Sequence, residues 1–281
     1  MSTAYWNRVR SAEMKVPDDR PLPDLTAELT TLLGSTDPVE RDELAYPILA
    51  AWIGEGVYDD LLAGLGDGMA AGLTQGLGES GTDSVFRRSF SALVLAECIT
   101  RDNEHLLVPP ARVLEWGDRL TGWLVRERDV RGFVAGKGWA HAVAHGADAI
   151  STLARSTHFR LPELTVLLDV IADRVLLETT PPLCSGEPDR LAAATMAVFR
   201  RRLVPLRIIE PWLARVTAAA TAEVPPDRDP YTVTGNPEAF LRALHLQVAF
   251  APEPIDVRAD LLLDLVASLR TTNPTYLRPR G

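Results

Sequence analysis

Gly138-Trp-Ala-His-Ala-Val-Ala-His-Gly-Ala-Asp-Ala-Ile-Ser-Thr-Leu-Ala-Arg-Ser156 carries apolar residues at helical spacing along its whole length. At about 100° per residue, Val143, Ala147, Ile150 and Ala154 share one face, and His141, His145, Asp148 and Thr152 share roughly the opposite one. The spacing predicts a two-sided helix over 138–156. One side suits a core. The other presents imidazoles and a carboxylate among Gly138, Ala142 and Ala149, residues small enough to leave room for a ligand.

The same periodicity recurs on both sides of this stretch, and alternating runs of β-branched and aromatic residues are missing, which predicts an all-α chain. Helices are expected near 3–14, 24–34, 38–54, 59–77, 83–102, 110–127, 138–156, 162–179, 188–203, 206–222, 237–250 and 256–270. Asp37-Pro38 and Asn236-Pro237-Glu238 read as starts, each placing a capping side chain before a proline. Every second start falls about 45 to 55 residues after the last, somewhat longer than HEAT and armadillo repeats. The expectation is a single repeat-like domain over 1–281, built as antiparallel helix pairs in a HEAT-like α-solenoid, with a compact multi-helix array as the competing topology. A proline- and aspartate-rich loop is expected at 223–235.

With 46% hydrophobic residues in 281, the chain can bury a large core. A formal charge of −9 opposes non-specific attraction to nucleic acid or anionic lipid. The opening residues lack the apolar centre of a signal peptide and no run reaches the ~20 apolar residues of a membrane span, so a cytoplasmic protein with no nucleic-acid or membrane partner is expected. Cys98 and Cys184 stand far apart without a paired motif, and both are expected to be free thiols.

Several eye-catching stretches read as structure. Gly64, Gly68, Gly72 and Gly76, four residues apart, predict a close approach of two helices; no phosphate-binding register follows them. Arg200, Arg201, Arg202 and Arg207 read as a solvated helix end, and Trp116 and Trp123 as core.

The strongest functional signal remains the histidine pair. Two histidines four residues apart on a helix can ligate one metal, which makes His141 and His145 candidate ligands of a divalent ion. Asp148 is about 10.5 Å along the axis from His141 and suits better a hydrogen bond to His145 that would fix its tautomer. Charged neighbours at Glu127, Asp129, Arg131 and Lys137, and beyond them Glu187, Asp189 and Arg190, complete a candidate ligand-binding set. Three readings stay open: a polar network without chemistry, an organic or anionic ligand, and a metal site.

Phe86-Arg87-Arg88-Ser89-Phe90-Ser91-Ala92-Leu93, Glu127-Arg128-Asp129-Val130-Arg131-Gly132-Phe133, the block from Lys137 to Asp148, and Glu187-Pro188-Asp189-Arg190-Leu191-Ala192 together resemble a bacterial family catalogued as domain of unknown function 2785. The resemblance implies an all-helical, repeat-like fold and singles out the histidine segment. It implies no activity. The expected function is therefore binding of a small molecule or peptide at a polar concave site around His141, His145 and Asp148. A metal-dependent hydrolase or transferase at the same site, and a protein-interaction scaffold, are the alternatives.

Overall fold

The computed structural model describes residues 3–253 and 255–277. The all-α expectation holds: α-helices occur at or within a few residues of each expected segment, and the one sheet among the described residues is a two-stranded hairpin. No described helix is long and apolar enough to cross a membrane. The chain separates into two compact units, Met1–Ala149 and Ile150–Gly281.

The first unit contains α1 (Thr3–Ser11), α2 (Leu22–Leu32), a π-helical turn (Val39–Ala45) running into α3 (Tyr46–Gly54), α4 (Leu62–Gly72), α5 (Ser84–His105), α6 (Pro110–Arg126), a hairpin of β1 (Phe133–Val134) and β2 (Gly138–Trp139), and the start of α7 (Ala142–Arg155). Both α3 and α4 pack on α5, and α4 also packs on α6. α6 shows how sequence places these elements. It starts at Pro110, where a missing N–H costs nothing, and buries Val113, Trp116, Leu120, Trp123 and Leu124 on one stripe, each worth about 1.5–3 kcal/mol when fully covered. α5 ends where Leu106 turns left-handed at φ 52°, and the Asp102 carboxylate accepts the Val108 N–H at 2.7 Å.

The glycine ladder of α4 works differently from its spacing. Gly64 and Gly68 have nothing within 4 Å of where a Cβ would stand. The close approaches are at Gly66, against the Trp116 ring, and at Gly72, against Ser91.

In the second unit, α8 (Leu161–Leu176) packs on α9 (Glu187–Arg200), α10 (Leu206–Ala220) and α11 (Tyr231–Phe250). α9 packs on α11, and α12 (Arg258–Thr272) covers α10 and α11 before the short α13 (Pro274–Leu277). Asn236-Pro237 is not a helix start. α11 begins at Tyr231, so the expected loop at 223–235 gives its last residues to that helix. The Asn236 side chain is buried and engaged elsewhere, accepting the Leu183 N–H at 2.8 Å and donating to Thr179 Oγ1 at 2.9 Å. Arg201, too, is more than a solvated cation: it donates to the carbonyls of Ala154, Ser156 and Phe159, closing the turn that precedes α8.

Cys98 is buried on α5, where burial pushes its thiol well above the ordinary range, while Cys184 is exposed. A thiol reagent at neutral pH is expected to label Cys184 within minutes and Cys98 only in denaturant. Labelling of both in the native protein would show that α5 opens on that timescale.

Candidate functional site

The helix expected over 138–156 starts four residues late, for a reason written in its glycines. Gly136 and Gly138 take φ of +75° and +80°, and the turn they shape closes a hairpin that pairs Phe133 with Trp139 and Val134 with Gly138. A Cβ on Gly138 would stand 3.0 Å from both Arg41 Nη2 and Pro38 Cβ. Pairing continues past the strands through Ala140 N–H to Gly132 O at 2.8 Å and His141 N–H to Arg131 O at 3.1 Å. His141 is thus the last residue of the hairpin, with φ +50°, and its carbonyl accepts the His145 N–H that opens α7. The two-sided helix is also corrected. Both stripes are covered, His141 and His145 being 8% exposed each, and between 141 and 154 only Asp148 is less than buried, at an intermediate exposure.

Because His141 caps α7, the two imidazoles still meet, with ring centroids 5.8 Å apart. They are the middle of a longer succession. Exposed Phe133 meets exposed Trp139 at 5.1 Å, Trp139 meets His141 at 4.2 Å, His145 meets Phe90 at 5.1 Å, and Phe90 meets Tyr46 at 6.2 Å. Edge-to-face contacts dominate, the geometry that aromatic quadrupoles favour. Behind Phe90 lies Arg41, fully buried, its guanidinium 5.0 Å from the Phe90 centroid and 4.1 Å from that of Phe86. The π-helical turn that carries Arg41 widens the backbone there, Tyr46 N–H bonding Arg41 O five residues back.

His145 has a defined tautomer. Ser89 Oγ lies 2.7 Å from His145 Nδ1 and also bonds the Ala140 carbonyl, which can only accept. The single hydroxyl proton therefore goes to Ala140, Nδ1 carries the proton of the second bond, and in the neutral ring Nε2 is the basic nitrogen. This polarity is the reverse of a serine nucleophile facing its base, and Ser89 is fully buried besides. Ser89 thus fixes the tautomer of His145 from the Nδ1 side. The signal that finds it is its place on α5 next to Phe90, one turn from Phe86.

At the far end of the succession, Tyr46 Oη donates to Glu97 at 2.8 Å. Burial, then the nearby charges of Glu97 and Asp148, hold the Tyr46 phenol above its ordinary pKa. Neither Tyr46 nor Glu97 belongs to the set expected from sequence, although Glu97 shares a stripe of α5 with Phe86, Phe90 and Leu93. A raised folded pKa stabilises fully below the unfolded value of ~10, and the stabilisation is lost as pH rises from there through the folded value. Tyr58, pushed up to about 12 by burial, acts the same way. Urea midpoints are thus expected to fall between pH 9 and 11, and to fall less in Tyr46→Phe or Tyr58→Phe. Identical slopes in wild type and both variants would remove these phenols from the account.

The other expected site residues separate into two groups. Glu127, Asp129 and Arg131 form a clamp at the base of the hairpin. Buried Glu127 accepts Arg88 through both oxygens at 2.5 and 2.9 Å, with Trp123 Nε1 and Asp129 N–H at 2.9 Å each. Asp129, also buried, accepts Gly81 N–H at 2.9 Å and Arg131 Nη2 at 2.7 Å, and its bond to Arg131 raises the Arg131 pKa. Lys137, on the turn, pairs with Asp83 at 2.6 Å. Their polar atoms face protein partners. Glu187, Asp189 and Arg190 belong to the second unit, on the first turn of α9, where Glu187 accepts the Ser185 N–H at 2.7 Å. As for the metal set of His141 and His145, no group of three or more His, Cys, Asp or Glu side chains among the described residues is arranged to hold an ion.

The family model described as protein of unknown function (DUF2785) matches residues 73–246. The chain belongs to this family. The DUF2785 span includes the clamp, the hairpin, both histidines and Asp148, while Arg41 and Tyr46 lie outside it. No curated protein and no solved structure matches the chain.

Proposed function

We infer that this DUF2785 protein binds a small organic molecule or short peptide at the hairpin, on a HEAT-like succession of antiparallel helix pairs. The observation that carries the reading is the ring succession from exposed Phe133 and Trp139 through His141 and His145 to Tyr46. A monomer leaves a Trp 45% exposed and a Phe 61% exposed, in mutual contact, as the outer strand pair of a hairpin that follows the buried Arg88–Glu127 ion pair. A rigid aromatic face beside polar groups is how binding sites gain contact area at low entropic cost. Trp139 and Phe133 would supply that face, His141 and His145 directional hydrogen bonds, and Asp148 charge. The repeat reading draws support from helix contacts in the second unit, where each helix from α8 to α10 packs on the next but one.

Screening a fragment library by quenching of tryptophan fluorescence, with native mass spectrometry and metal analysis of the purified protein, tests this reading. Trp139→Ala and His145→Ala are expected to weaken any ligand found at least tenfold, and His145→Ala to cost only ~1–2 kcal/mol of stability. If His145→Ala fails to fold and the wild type binds nothing, the histidines are a structural network. Stoichiometric zinc, manganese or iron, lost in a His141→Ala, His145→Ala double variant, would replace the binding reading with metal-dependent hydrolysis or group transfer.

A further inference from the structure

The first unit also contains a cleft of about 700 Å³, lined among others by Thr31, Leu32, Ser35, Glu40, Ser84 and Arg87. Its charges are unevenly matched. Asp83, also on the wall, is neutralised by Lys137. Arg87 meets no carboxylate among the described residues: Nη1 donates to the Thr30 carbonyl, and Nε is buried without a partner. Glu40 meets no cation there, accepting only the hydroxyls of Thr3 at 3.2 Å and Ser35 at 2.7 Å. Burial lowers the Arg87 pKa, and the partners of the two groups among the described residues include no ion pair between them.

One helix end adds to this polarity. The end of α2 already holds Arg87 through the Thr30 carbonyl, while Ser84 opens the 22-residue α5, whose N-terminus favours an anion. A purely anionic ligand would face Glu40, and a purely cationic one would face Arg87. A molecule carrying both charges meets neither obstacle.

We propose that this cleft binds a small zwitterion with a free carboxylate and a free ammonium, of the amino acid or short peptide class, the carboxylate on Arg87 at the start of α5 and the ammonium on Glu40 beside the end of α2. The inference is independent of the hairpin site. Calorimetric titration with linear amino acids from glycine to aminohexanoate, and with diglycine and triglycine, tests it and measures the span between the charges. At least one probe is expected to bind saturably, with an optimum length. N-acetylation or methyl esterification of that probe should each weaken binding at least tenfold, as should Arg87→Gln and Glu40→Gln, the scale of one lost charge-assisted bond. If Arg87→Gln does not fold, Glu40→Gln and the blocked probes still decide the matter. No binding by any member of the series overturns the proposal. Undiminished binding of the acetylated probe reduces the cleft to an anion site, and undiminished binding of the ester reduces it to a cation site; either result overturns it too.

Discussion

Glu127→Ala will lower the free energy of unfolding by about 3–5 kcal/mol, the loss expected when one half of a buried ion pair is removed and the other charge stays behind. Both side chains of the Arg88–Glu127 pair are fully buried. Without the carboxylate, the Arg88 guanidinium keeps the carbonyls of Gln75 and Gly76 but no counter-charge, and the Trp123 indole and Asp129 amide lose their acceptor. Chemical denaturation followed by circular dichroism measures the effect. The double change Arg88→Met, Glu127→Leu should recover much of the loss, because paired apolar replacements leave no stranded charge. A loss below about 1 kcal/mol for Glu127→Ala would mean that water reaches the pair and that the clamp is looser than its geometry.

Two glycines on α4 are expected to respond to the same substitution with opposite signs. In Gly66→Ala the new methyl would lie 2.2–2.7 Å from three atoms of the Trp116 ring, a fully buried side chain whose indole is held by Asp67 at 2.9 Å. Neither helix nor ring can yield freely, and overpacking of this kind costs about 1–3 kcal/mol. Gly68→Ala meets nothing within 4 Å and should stabilise by about 0.5–1 kcal/mol through helix propensity alone. Unfolding midpoints of the two variants, measured side by side, decide the point. Equal shifts in the same direction would show that α4 does not pack on α6 as described.

This contrast shows what a sequence does and does not display. Helical period places α6 within a residue at either end, since one stripe of large apolar residues and a leading proline leave little alternative. The same period assigns the close approach on α4 to Gly64, Gly68, Gly72 and Gly76, yet which face of a glycine-rich helix meets a neighbour depends on where Trp116 arrives, and that residue is about fifty positions away. At the histidines, the spacing of His141 and His145 brings the rings together as expected. What it hides is the hairpin, because Gly136 and Gly138 read equally as small helix neighbours or as turn residues until the Arg131 and Gly132 carbonyls supply partners. Ser89, Tyr46 and Glu97 escape for a related reason: each gains its role from a contact many residues distant.

The hairpin is fastened by its main chain. Arg41 holds the Lys137 carbonyl at 2.7 Å, Ser89 holds that of Ala140, and the ladder to Arg131 and Gly132 is backbone throughout. A carbonyl is the same in every residue, so this attachment does not depend on which side chains positions 133 and 139 carry, although Gly138 between them is fixed by its φ and by Arg41. Positions 133 and 139 can therefore exchange one aromatic for another, or an aromatic for a polar group, with the mount intact. Descendants of this chain have a short route to new ligand preference through those two codons, while the buried residues that hold the loop stay as they are.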